Sequence, residues 1–131
     1  TGVQTCALPI CEPVDFIVTQ FAFHHLPDFW KAHALRKMNH SLKNGGKLYL
    51  RDVVFSFEID DSQQRIEAWF DDVASDSDDG FSRDEFEAHV RDEFSTFGWI
   101  LEGLLERAGF TIERANYSAP TYASYECRRG E

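Results

Sequence analysis

No apolar run in these 131 residues approaches the roughly 18 that a membrane span needs, although 43% of the side chains are hydrophobic. Basic charge is scarce too. Thirteen Lys and Arg stand against 23 Asp and Glu, a formal net of −10, which argues against nucleic-acid phosphate as a main partner. Cysteine is rare, with 3 in the chain, too few for the disulfide framework of a small secreted domain. A reducing, cytoplasmic setting is therefore expected, with no membrane partner. No glycine-rich strand-to-helix turn of the G-x-G kind occurs among the 8 glycines, so the sequence does not encode a cradle for a nucleotide or its relatives. No Cys-His or Ser-His-Asp arrangement stands out for covalent catalysis.

What is present suffices for one packed domain or part of one. The acidity is local: residues 58–93 hold 14 acidic and 3 basic side chains, a net of −11, so the remainder is almost neutral. Within it, SDSDDGFSRDEFE (75–87) invites comparison with a calcium loop. Placing Gly80 at position six puts serine at positions one and three and Phe86 at twelve, where the loop requires a carboxylate. A solvated loop and helix start is expected instead.

Residues 14–19, Val-Asp-Phe-Ile-Val-Thr, have the β-branched and aromatic make-up of a buried strand. Asp28 is a plausible N-cap for an amphipathic helix carrying Trp30, Ala34, Leu35, Met38 and Leu42, which Asn44-Gly45-Gly46 ends. Lys47 to Val54 is the next strand, giving a βαβ unit with a parallel sheet. Helices follow over Gln63 to Val73, from the capping box Ser82-Arg83-Asp84-Glu85, and over Thr96 to Ala108. Residues 110–118 and 121–129 read as two strands whose short connection through Ala119-Pro120 forces them antiparallel.

DFIVTQFAFHHLPDFW followed by SLKNGGKLYLRDVVF resembles the fourth- and fifth-strand motifs of the class I S-adenosylmethionine-dependent methyltransferases, with Asn44 where those families usually carry proline. GLLERAGFTIERANY with YASYECRR is similar to the last helix and reversed strand pair of that fold. The resemblance covers 14–129. It implies an α/β fold, the C-terminal half of a Rossmann-like methyltransferase sheet in the order 4-5-7-6, with the last strand antiparallel and helices on its faces. It implies S-adenosylmethionine as cofactor and a small-molecule methyl acceptor. It also implies that roughly a hundred residues of such a domain, with the glycine turn, precede this sequence.

The first ten residues, TGVQTCALPI, fit neither a secretory signal nor a lipoprotein box, and Cys6 and Cys11 lack partners at metal-ligand spacing. Their sequence is the translation of ACT GGA GTT CAG ACG TGT GCT CTT CCG ATC, which resembles a sequencing-library adapter. Residues 1–10 are therefore expected to be adapter-derived, 11–131 a partial methyltransferase domain, and about 58–95 an acidic helical insertion that caps the acceptor pocket, with Trp69, Phe70, Phe94 and Trp99 as candidate apolar walls.

Ligands of open α/β sheets bind beyond the carboxyl ends of the strands. By resemblance, Thr19, Gln20, Phe21 and His25 are the cofactor-binding candidates, and His24, His25 and Asp52 the catalytic ones. His24, His25, Asp28 and His33 have the side chains of a zinc site, but adjacent residues of a strand-like stretch diverge, and no metal is expected. Two other classes compete. Half of another doubly wound nucleotide-cofactor enzyme would lack the reversed final strand, and a non-enzymatic acidic binding module would place its function in 58–93.

Overall fold

A computed structural model describes residues 12–75 and 82–130. The adapter-like residues 1–10, and 76–80 of the calcium-loop comparison, lie outside the described residues.

Strand β1 (Val14–Gln20) and strand β2 (Leu42–Phe55) pair in parallel, from Phe16 opposite Lys47 to Gln20 opposite Arg51, and helix α1 (Asp28–Ser41) is the crossover. β2 begins earlier than the sequence suggests. Leu42 already bridges Val14, and the residues up to Lys47 form an irregularity in the ladder. Gly45 takes φ of 77° there, a left-handed conformation that costs an L side chain about 1–2 kcal/mol. Helix α2 (Ser62–Ser75) and helix α3 (Arg83–Asp92) follow, then a two-residue strand β3 (Thr96–Phe97) and helix α4 (Gly98–Arg107). The helix expected from Thr96 thus starts two residues late, because Thr96 and Phe97 pair with Val54 and Phe55. The chain closes with strands β4 (Phe110–Ala119) and β5 (Tyr122–Arg129).

The sheet runs β1-β2-β5-β4, and β5 is antiparallel to both of its neighbours. This is the 4-5-7-6 order with a reversed last strand. It selects against half of another doubly wound nucleotide-cofactor enzyme, which would lack the reversed strand.

Side chains alternate across a strand, and each face of β2 builds a different core. Leu48, Leu50 and Val54 join Leu35 and Met38 of α1, Leu101 and Leu105 of α4, and Ala123, Tyr125 and Cys127 of β5. Val53 and Phe55 instead pack with Phe57, Trp69 and Phe70, supported by Phe86, Val90 and Tyr122. The acidic insertion therefore folds onto the sheet through an aromatic face. Its Ser82 caps α3 as expected, accepting a hydrogen bond from the Glu85 N–H at 3.2 Å.

In α1, Pro27 occupies the N-cap position and Asp28 is the first helical residue, without a side-chain cap. The expected stripe is also rotated: Trp30 is 57% exposed, while Lys31 is 2% exposed. The Lys31 ammonium meets the Phe94 carbonyl and lies 3.7 Å from Asp28, so its stem is buried and its charge is answered. Gly109, at φ 102°, ends α4; a Cβ there would press on Arg36 and Asn39, and Arg36 Nη1 donates to the Ala108 carbonyl at 2.9 Å.

Candidate active site

At the carboxyl edge of the sheet the chain leaves β1 through Phe21, which has φ of 52°. A bulky residue rarely takes this conformation, and such strain clusters at functional positions. Its N–H donates to the Arg51 carbonyl at 2.8 Å, extending the β1–β2 pairing by one bond. The Phe21 ring is 41% exposed, with the Arg51 guanidinium 5.5 Å from its centre and Tyr122 edge-on at 6.3 Å. Gln20 is exposed beside it. Thr19 is only 3% exposed, which leaves little of it to meet a ligand. Phe23, two residues on, belongs to the leucine-rich core.

A single 3-10 turn over Phe23–His25 then carries both histidines. His24 is buried, whereas the His25 side chain is 60% exposed. Their rings nevertheless lie 4.1 Å apart, because a tight turn keeps neighbours on adjoining sides where a strand would oppose them.

Asp52 is buried in the last third of β2 and fully engaged. Its Oδ2 accepts the His24 N–H at 3.0 Å, and its Oδ1 accepts the Val53 N–H at 2.7 Å and faces His24 Nδ1 at 2.6 Å. A carboxylate has no hydrogen to give, so the imidazole proton is assigned to Nδ1. That assignment leaves His24 Nε2 turned toward the insertion. Glu93 Oε2 stands 3.2 Å from it and 2.7 Å from His89 Nδ1. His89 is four residues before Glu93, one helical turn, and its Nε2 is 2.7 Å from Ser95 Oγ. Burial, the largest influence, pushes the His89 imidazole below its ordinary pKa; Glu93 opposes that shift and His24 adds to it.

Two backbone contacts hold this meeting in place. The Phe94 N–H donates to the His24 carbonyl at 2.7 Å, and the Phe94 carbonyl receives Lys31. Trp69 sets its ring edge-on to His89 at 5.9 Å and donates from Nε1 to the Tyr122 hydroxyl at 3.3 Å.

The cluster opens on a cleft of about 700 Å³ lined by Phe21, Arg51, Val53 and Tyr122 on the sheet side and by Phe86 and His89 on the insertion side. Its size suits a small organic ligand. A second hollow of about 360 Å³, between α2 and the β4–β5 turn, shares Phe86 and Tyr122 but lies away from His24 and Asp52.

Of the expected catalytic residues, His24 and Asp52 are in direct contact, and His25 is exposed beside His24 without lining the cleft. The weighed set His24, His25, Asp28 and His33 is not gathered: Asp28 pairs with Lys31, and His33 sits among Phe29 and Trp30 on the exposed side of α1. Among the candidate walls, Trp69 and Phe70 are buried, while Phe94 and Trp99 are 46% and 63% exposed. Sequence reasoning missed His89 and Glu93. Their signal was a histidine and a carboxylate at i, i+4 spacing, hidden in a segment crowded with acids.

No protein-family model matches the chain. A protein of Geobacillus thermodenitrificans named as a methyltransferase is 30% identical over 112 residues, covering 82% of this chain and 46% of its own length. The chain thus spans about half, or less, of the length of the curated relatives it matches. Among solved structures, human N-acetylserotonin methyltransferase in complex with SAM aligns over 92% of this chain and 31% of its own, with a TM-score of 0.60 at 15% identity. An O-methyltransferase family 2 protein from Planctomyces limnophilus in complex with apigenin aligns over 89% and 30%, with a TM-score of 0.59 at 12% identity. Sheet order and reversed last strand give this chain the fold of the class I S-adenosylmethionine-dependent methyltransferases, and its sequence is similar to part of proteins named as methyltransferases.

Proposed function

We propose that this chain serves a methyltransferase that moves a methyl group from S-adenosylmethionine to a small-molecule acceptor, with oxygen as the attacked atom. One observation carries the reading: a buried His24–Asp52 pair at the carboxyl edge of the sheet, opening on a cleft of small-ligand size. The neighbours' small-molecule ligands support it by analogy. S-adenosylmethionine, when bound, supplies an electrophilic methyl on a sulfonium.

The residues present fit one side of that cofactor. Gln20 offers an exposed amide and Phe21 an exposed ring beside a left-handed bend. The glycine turn for the opposite side is not among these residues, and we assign it to sequence preceding Val14. Asp52 holds the His24 imidazole in one orientation, so that Nε2 can take the hydroxyl proton of the acceptor. The aromatic insertion excludes water. Among the described residues the cysteine, Cys127, is free and buried, in keeping with a cytoplasmic protein.

In the intact gene product, tritiated methyl transfer to phenolic or other hydroxylated acceptors tests the reading. His24→Ala should lower kcat by about 10²-fold or more, the ordinary contribution of a general base, with KM for the cofactor unchanged. Undiminished kcat in that variant would overturn it. In calorimetric titration, this chain alone should show no micromolar affinity for S-adenosylmethionine; micromolar binding would refute the division of the cofactor site.

A further inference from the structure

Glu93 Oε2 is a buried carboxylate oxygen that accepts no hydrogen bond, although His89 Nδ1 and His24 Nε2 lie 2.7 and 3.2 Å away. Neither ring presents a hydrogen to it in bonding geometry. The Glu93 side chain is partly exposed, but its Oε2 is buried, and a buried carboxylate oxygen without donors is costly unless positive charge stands beside it. The three atoms fall within 4.8 Å of one another, the separation that ligands of a single ion have.

We infer that His24 Nε2, His89 Nδ1 and Glu93 Oε2 form a site for a divalent transition ion of the zinc type. Two imidazoles and one carboxylate suit zinc, cobalt or ferrous iron, whereas magnesium and calcium take oxygen ligands. The remaining ring nitrogens are already held, His24 Nδ1 by Asp52 at 2.6 Å and His89 Nε2 by Ser95 at 2.7 Å. Partners of that kind fix which nitrogen faces an ion and raise its basicity. Asp52 and Glu93 balance the charge of a divalent ion. Three protein ligands leave a coordination position open, and all three residues line the cleft.

The consequence for the acceptor rests on the methyltransferase reading: a hydroxyl in the open position would be acidified by the ion, as zinc-bound water is, and would lose its proton to solvent, with His24 acting as ligand instead of base. Binding of the ion does not depend on that reading.

The test is cobalt titration of the chelator-stripped chain, read as the visible bands of four-coordinate cobalt, followed by zinc competition with a chromogenic chelator. One ion per chain is expected. His89→Ala and Glu93→Gln should each weaken zinc binding at least about 10-fold, and Asp52→Asn about 10-fold, while His33→Ala leaves it unchanged. Absence of the cobalt bands in the unmodified chain overturns the inference whether or not the variants fold, and so does unaltered affinity in folded Glu93→Gln. Metal-free intact protein that still transfers methyl at full rate overturns the acceptor role and leaves the His24 base standing.

Discussion

The two faces of β2 are built from different materials. One packs Leu48, Leu50 and Val54 against α1 and α4, a core of aliphatic side chains joined by Tyr125 and Cys127. The other packs Val53 and Phe55 against Trp69, Phe70 and Phe86, rings meeting edge to face, beneath a strongly acidic exterior. The aliphatic side is continuous through sheet and helices. The aromatic side is a cap that meets the cleft through Phe86 and Tyr122, while its buried Trp69 borders the second hollow. A shape-specific cluster of rings fixes the position of His89 more tightly than interchangeable aliphatics would, since aromatic pairs prefer particular geometries. The contrast separates what holds the sheet together from what shapes the site.

The largest expected effect breaks the aliphatic side. Leu105 is fully buried at the centre of that core, and Leu105→Ala should cost about 3 kcal/mol of global stability in urea unfolding, from lost transfer energy plus a cavity. A loss below about 1 kcal/mol would show that α4 is not integral to the core. Next comes Trp69→Ala. Here hydrogen exchange should rise mainly in 62–75 and 83–92 while the β2–β5 ladder keeps its protection, because the cap opens as a local unit. Uniform loss of protection would erase the distinction between the two faces.

The narrowest test, confined to alkaline pH, concerns the Cys127 thiol. Burial, its largest influence, raises it from 9.0 to about 12, with Glu113 adding to the shift. In the unfolded chain the thiol ionises at lower pH, so between about 9 and 12 the folded form binds more protons and stability falls as pH rises. Cys127→Ala should flatten that part of the Tm-against-pH curve. An unchanged slope would place the sensitivity elsewhere.

The aliphatic half of the molecule was legible from residue patterns because its contacts follow from local signals: a helix ended near glycines, a parallel strand after it, and a short Ala119-Pro120 link that admits only an antiparallel pair. Even there, Lys31 replaced Trp30 on the buried face. A lysine can be buried only where a carbonyl and a carboxylate await its ammonium, and Phe94 and Asp28 are 63 and 3 residues away. His24 and Asp52 were legible as candidates from their positions at the strand ends, though not as a bonded pair. His89 and Glu93 were not, because in a segment with 14 acids no composition rule distinguishes one carboxylate from another.

The sequence by itself determined the βαβ unit, the capped α3 and the reversed final hairpin, since periodicity, capping residues and loop length act over a few residues. Only the tertiary structure decided that His24 and Asp52 would bond and that α3 would bring His89 and Glu93 to His24. Those meetings depend on the Phe94–His24 backbone bond and on aromatic packing across the sheet, contacts between residues far apart in the chain that no local preference specifies.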